Sequence, residues 1–198
     1  WDEIRDLTLK STAPALVYEE GNLIKRSIRD LYSRDLEEVV VDGDDGYRAA
    51  KTFMKMLMPS NAKRVKPYRD PSVPLFHRYQ AEGKIDAILS PGVQLRSGGY
   101  LVINPTEALV AIDVNSGRST RERNIEETAL RTNLEAAEEV ARQLRLRDLA
   151  GLIVIDFIDM EEGRNVSQVE RRVKDSMRHD RARIQLDRIS PFGLMELS

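Results

Sequence analysis

Apolar residues recur along this chain in two rhythms, and the switches between them mark out its elements. ALVYEE (15–20) and LEEVVVDG (36–43) alternate as strands do. NLIKRSIRDLY (22–32) places Leu23, Ile24, Ile28 and Leu31 on one helical face. GYRAAKTFMKMLM (46–58) reads as a helix closed by Pro59. RVKPYR (64–69) reads as an edge strand, because its proline cannot donate to a ladder. PLFHRYQAEGKIDAIL (74–89) reads as a helix interrupted near Gly83. Strand–helix alternation of this kind predicts an α/β unit.

PGVQLRSGGY (91–100) is rich in turn residues, and a subdomain boundary is placed there, near Gly92. YLVIN (100–104) and ALVAIDVN (108–115) flank Pro105-Thr106-Glu107 as a hairpin. The polar loop 116–124 leads into a long helix from Ile125 to about Arg147. Asn124 and Glu127 fit a capping box, and Leu130, Leu134, Ala137, Ala141 and Leu144 form one apolar face. Arg142, Arg145 and Arg147 suit the negative end of its dipole. An apolar run follows at 152–158. A helix is predicted over 168–179, with Ser167 and Glu170 as its capping box and Val169, Val173 and Met177 as its stripe. ARIQLDRI (182–189) and LMEL (194–197) read as strands.

Two of these strands carry carboxylates that an apolar core would reject. An unpaired charge inside a strand costs several kcal/mol, on the order expected for buried ions, unless it emerges at an end or is neutralised. Strand 108–115, helix 125–147 and strand 152–158 form a βαβ unit, which makes the two strands parallel. Parallel strands bring their C-terminal ends to one edge, where open α/β sheets bind ligands. Asp113 and Asp156 both lie near those ends. Asn115 shares a face with Asp113, two residues away. Asp159 falls on the opposite face of an unbroken strand and is assigned to capping. Two carboxylates and an amide make a hard oxygen site that favours Mg²⁺, with Mn²⁺ as substitute, over zinc.

Composition narrows the chemistry further. The chain has 198 residues, 41% hydrophobic and 32% charged, with a net charge of −2. No global basic field advertises nucleic acid, so cations must be read locally. The absence of cysteine excludes thiolate metal sites, and two histidines make a multi-histidine zinc site a poor expectation. No apolar run reaches the roughly 20 residues of a membrane span. The chain lacks an initiator methionine, and a fragment of a longer protein is expected. Arg118, Arg121 and Arg123 follow Asp113. Arg171, Arg172, Lys174, Arg178, Arg181 and Arg183 follow Asp156. Carboxylate-held metal flanked by guanidinium groups suits phosphodiester chemistry. Most of the helix arginines read as a solvated face with local acidic partners. Arg181 and Arg183, where the chain turns back into the sheet, are the preferred phosphate contacts. SGG (97–99) lacks the Lys-Ser/Thr that completes a phosphate cradle, which argues against nucleoside triphosphate hydrolysis.

SGGYLVINPTEALVAIDVNSGR and NIEETALRTNLEAAEEVARQLRLRDLAGLIVIDFIDM, continued by RHDRARIQLDRISPFGLMELS, closely resemble the catalytic region of the bacterial ribonuclease E/G family. DRARIQ and LRDL lean toward the E branch. The resemblance implies an RNase H-like subdomain (1–92) followed by a DNase I-like catalytic subdomain (93–198) with a mixed sheet. It implies Mg²⁺-dependent cleavage of single-stranded RNA in RNA processing and decay, leaving 5′-phosphate and 3′-hydroxyl ends. Asp113 and Asp156 match the metal-holding aspartates and Asn115 the supporting asparagine. Arg183 matches a phosphate contact. Tyr79 and Gln80 match positions associated with structured RNA, with Arg78 where a relative has histidine. Arg118 joins Arg181 and Arg183 as an expected RNA contact. The resemblance further implies a cytoplasmic enzyme, with peripheral membrane association through regions outside this chain. It implies a homo-oligomeric full-length protein that works with partners of an RNA-degradation complex. The family's 5′-end sensor, OB-type domain and zinc-linking cysteines have no counterpart in this sequence. Competing readings are a fragment that binds RNA or protein without cutting, and a Mg²⁺ phosphatase on a similar sheet.

Overall fold

The computed structural model describes residues 1–18, 21–117, 125–178 and 180–198. It divides into two compact units, Trp1–Tyr79 and Gln80–Ser198.

In the first unit, β1 (Val39–Val41) and β2 (Val65–Pro67) pair in parallel. They are joined by α3 (Asp44–Leu57) and a 3-10 turn at Pro59–Arg64. Pro67 ends the short strand, and the next N–H, from Tyr68, donates to Val41 O at 2.8 Å. Helix α2 (Leu23–Leu31) starts where its cap predicts: the Asn22 side chain accepts from Lys25 N at 3.0 Å. Its Ile28 packs with Val41, Ala50, Met54, Ala62 and Val65. Helices α1 (Asp2–Lys10) and α4 (Leu75–Arg78) complete the unit.

The expected strand at 15–20 is not formed over residues 15–18, and 19–20 lie outside the described residues. Leu16 is 74% exposed, so apolar alternation found no ladder to join. The interruption in 74–89 falls at Tyr79–Gln80, where the units divide and Gln80 takes a left-handed φ of 54°. Gly83 sits inside α5 (Ala81–Ile88), a position a helix tolerates at a cost of about 1 kcal/mol.

The second unit is built on a mixed five-stranded sheet in the order β3-β4-β5-β6-β7. The strands are Gly92–Gln94, Tyr100–Pro105, Val110–Asn115, Ile153–Asp156 and Leu194–Leu197. Only β5 and β6 run parallel, joined through α6 (Ile125–Arg147), as the βαβ pattern requires. Alternation sorts the side chains. Leu101, Ile103, Val110, Ile112, Val114, Ile153, Ile155, Met195 and Leu197 are buried in one cluster. That cluster also holds Ala136, Ala137, Val140 and Ala141 of α6, and Val169, Val173 and Met177 of α7 (Gly163–Met177). Each large aliphatic side chain so buried contributes about 2 kcal/mol. The expected α7 stripe is therefore the core stripe. The α6 face is broader than expected: Ala137, Ala141 and Leu144 are buried and Leu130 and Leu134 pack half-buried against the same core, and Thr128, Thr132, Asn133 and Gln143 are buried as well. One of these polar residues, Asn133, binds the backbone of another segment, as described below.

Three further expectations change. Gln94 and its neighbours form an edge strand within the turn-rich stretch 91–100. Helix α7 starts at Gly163, five positions before the expected start. Residues 182–189 run beside β7 with a single bridge, Leu186–Leu197, and paired bonds between Gln185 and Ser198. The Asn124–Glu127 capping box lies partly outside the described residues, as does His179. Among the described residues no helix is long and apolar enough to cross a membrane.

Candidate active site

The sheet face opposite α6 and α7 carries the carboxylates. Register places Val102, Asp113, Asp156 and Leu194 in one row across β4, β5, β6 and β7. Asp113 and Asp156 are direct partners on adjacent parallel strands, about 4.8 Å apart along the hydrogen-bonding direction. Both are exposed, and both stand near the C-terminal ends of their strands. The shared edge expected from the βαβ pattern is thus present in the backbone.

Asn115 donates through Nδ2 to Asp113 Oδ2 at 2.8 Å. That bond holds one carboxylate rotamer. The approach of the preceding hairpin is close here. A Cβ on Gly99 would lie 2.6 Å from Asn115 O and 2.9 Å from Thr132 Cγ2. So the SGG stretch serves packing beside the β5 end.

Partial desolvation against the sheet pushes the Asp156 carboxyl up, and the Asp113 and Asp159 carboxylates push it the same way. The residue as a whole is exposed, so the effect belongs to the carboxyl where it meets its neighbours. Two neighbouring carboxylates with an amide beside them, and among the described residues no sulfur or imidazole ligand, are a donor set suited to a hard divalent cation. The set fits Mg²⁺, which retains several waters and needs few protein ligands. Among the described residues no group of three or more His, Asp or Glu converges as a metal cage, so the candidate rests on the pair.

Asp159 departs from expectation. The strand ends at Asp156, and the chain over 157–162 forms an irregular arm. The arm brings the Asp159 carboxylate back within electrostatic reach of Asp156. Among the described residues that carboxylate makes no bond to a helix N–H; the chain just before α7 is held instead by Glu126 of α6, which accepts from Glu161 N at 2.9 Å, Glu162 N at 3.2 Å and Asn165 Nδ2 at 2.6 Å. These bonds hold the Glu126 carboxyl below its usual range, the one from the Glu161 N–H most of all. On the other side, Phe157 N donates to Gly193 O at 3.2 Å. Gly193 has φ +79°, and a Cβ there would lie 3.1 Å from Asp159 Oδ1 and 4.0 Å from Asp156 Oδ1. A cleft of about 330 Å³ opens beside the arm, lined in part by Phe157, Asp159, Met160 and Gly193.

A model of the Ribonuclease E/G family matches residues 1–198. The chain belongs to the ribonuclease E/G family. Ribonuclease E of Haemophilus influenzae is 52% identical over the whole of this chain, which covers 21% of that protein. Ribonuclease E of Escherichia coli is 47% identical, again over the whole chain and 19% of its own length. Ribonuclease G of Salmonella typhimurium is 33% identical, with 40% of its length covered. The chain therefore spans about a fifth of the length of these ribonuclease E relatives.

The cations expected to serve this family member are placed unevenly. Arg118, Arg121 and Arg123 lie outside the described residues. Arg181 and Arg183 are exposed. Gln185 pairs with Ser198, past the end of β7 that faces Ile153, so Arg183 follows the opposite end of the sheet from the Asp156–Leu194 row. The structure does not gather it with the carboxylates. Tyr79 closes the first unit and Gln80 opens the second, and both are exposed. Arg172 pairs with Glu138, and Arg178 with Asp175 at 3.3 Å, as a solvated helix face would. Sequence reasoning missed Glu126 and Asn133 on α6. Their signal was polarity on an otherwise apolar helical face.

Proposed function

We propose that this chain is the catalytic core of a Mg²⁺-dependent endoribonuclease that cuts single-stranded RNA. The observation that carries the reading is the Asp113–Asp156 pair, in register on parallel strand ends, in a chain matched throughout by the ribonuclease E/G family. In this reading residues 93–198 are the DNase I-like catalytic part, and residues 1–92 belong to an RNase H-like part. Asp113 and Asp156 hold the cation through their carboxylates, and Asn115 fixes the rotamer of Asp113. A bound Mg²⁺ supplies an activated water and neutralises charge developing on the phosphate. The carboxylates stand on an exposed sheet face, which admits an extended polymer more readily than an enclosing pocket would. Hydrolysis of the bond between phosphorus and the 3′-oxygen, in which phosphorus gains the hydroxyl of a water and the departing 3′-oxygen its proton, would leave a 5′-phosphate and a 3′-hydroxyl. Roles in RNA processing and decay, a cytoplasmic site of action, oligomeric full-length assembly and degradation-complex partners belong to the same proposal.

The test is incubation of a single-stranded RNA oligonucleotide with the chain and Mg²⁺, followed by end analysis. The expected products carry 5′-phosphate and 3′-hydroxyl ends, and Asp113→Asn abolishes them. Cyclic phosphate ends, or cleavage that survives Asp113→Asn, would overturn the reading. RNA binding that persists without cation or cleavage would favour a non-cutting binding module instead.

A further inference from the structure

The arm that follows Asp156 is gripped from the core side by a single buried amide. Asn133 of α6 is fully buried, with 0% exposure. Its Nδ2 donates to Ile158 O at 2.8 Å, and its Oδ1 accepts from Ile158 N at 3.0 Å. This is the pairing a neighbouring strand would offer. It is supplied by a side chain at a point where the sheet has ended. Seven residues earlier, two helical turns along the same face, Glu126 takes the N–H groups of Glu161 and Glu162. The two residues together bind the chain at 158 and at 161–162. Ile158 lies between Asp156 and Asp159, so its position fixes how both carboxylates leave the sheet.

Burial of an amide is costly unless both of its ends are bonded. An apolar residue of similar volume would satisfy the packing of α6 against the sheet without that demand. It would also leave Ile158 N–H and C=O unpaired. The amide is therefore accounted for by the arm, and the arm by the carboxylate it carries.

We propose that Asn133 is a positioning residue for the carboxylate arm, holding Ile158 so that Asp156 stays in register beside Asp113. The role in cation binding rests on the proposed function; the role in holding the arm does not. Partners that orient metal ligands from outside the coordination shell typically change affinity by about 10- to 100-fold when removed.

The experiment uses the whole chain with Asn133→Leu, and with Asn133→Ser as a smaller replacement should leucine prevent folding. Val140→Ala serves as a control: Val140 is equally buried on α6, and its substitution loosens the core without removing a hydrogen bond to the arm. Two quantities are read: amide hydrogen exchange over 157–162 in cation-free buffer, and Mn²⁺ affinity by calorimetry. The expected result is faster exchange in the arm by at least about 10-fold relative to β5, and Mn²⁺ affinity lower by about 10- to 100-fold. The control changes neither. Exchange in the arm that matches the parent, or a control that loosens the arm equally, would overturn the proposal. So would unchanged Mn²⁺ affinity with a loosened arm. A parent chain that binds no Mn²⁺ would sink the metal reading, and the exchange result would then decide the positioning role alone.

Discussion

Asp113 and Asp156 stand in one row, yet β5 and β6 deliver them by different means. At the β5 end the support is local. Asn115, two residues on, bonds the carboxylate directly, and the glycine hairpin packs against its backbone. At the β6 end the support is remote. The chain leaves the sheet at Asp156 and is held by Asn133 and Glu126 on one side and by Gly193 on the other. A local support can be read from spacing, because alternation fixes which residues share a face. A remote one cannot, since nothing near VIDFIDM announces an amide twenty-five residues upstream. The difference teaches that the two carboxylates of one site can differ in how far away their tolerance to mutation is decided.

The local support breaks in cation binding. Asn115→Ala frees the Asp113 rotamer and is expected to weaken Mn²⁺ binding about 10-fold, read by calorimetry, with the fold unchanged. The remote side breaks first in stability. Gly193→Ala forces a side chain into a left-handed backbone, costing roughly 1–2 kcal/mol in urea unfolding, and crowds Asp159. Unchanged stability would show that the turn at 190–193 relaxes freely.

Glu126 and Asp156 carry opposite pH dependences. The Glu126 carboxyl is held below its ordinary value of 4.5, so its contribution is present above that pH and lost as pH falls through the depressed value. Glu126→Gln should lower the thermal midpoint by a few degrees at pH 7, and the gap should close in acid. The Asp156 carboxyl is raised above its ordinary 3.8, so ionising it costs folding stability as pH rises through that window. Asp156→Asn should therefore be equally or slightly more stable at pH 7 in cation-free buffer, with the gain absent in acid. Thermal unfolding across pH reads both signs at once.

Much of this arrangement was legible beforehand. Alternation in ALVAIDVN and LIVID, with a long periodic helix between them, was enough to demand a parallel pair with Asp113 and Asp156 at one edge. The register then made them direct partners. The stripe of Val169, Val173 and Met177 was equally plain, because an amphipathic helix must bury that face. What stayed hidden depended on contacts between distant segments. Asp159 looked like a cap because an aspartate before a helix often is one, yet Glu126 from another helix took those N–H groups. Thr132 and Asn133 fell outside the leucine stripe, since periodicity weighs apolar residues and passes over a buried amide. Arg183 suited a phosphate by charge and proximity in sequence, while pairing of Gln185 with Ser198 sent it toward the other end of the sheet.

The central claim is that Asp113 and Asp156 make one cation site. The direct test is Mn²⁺ calorimetry on the chain, on Asp113→Asn and on Asp156→Asn. The expected result is a single binding event in the parent and none in either variant. Binding that survives in either variant, or none in the parent, would contradict it.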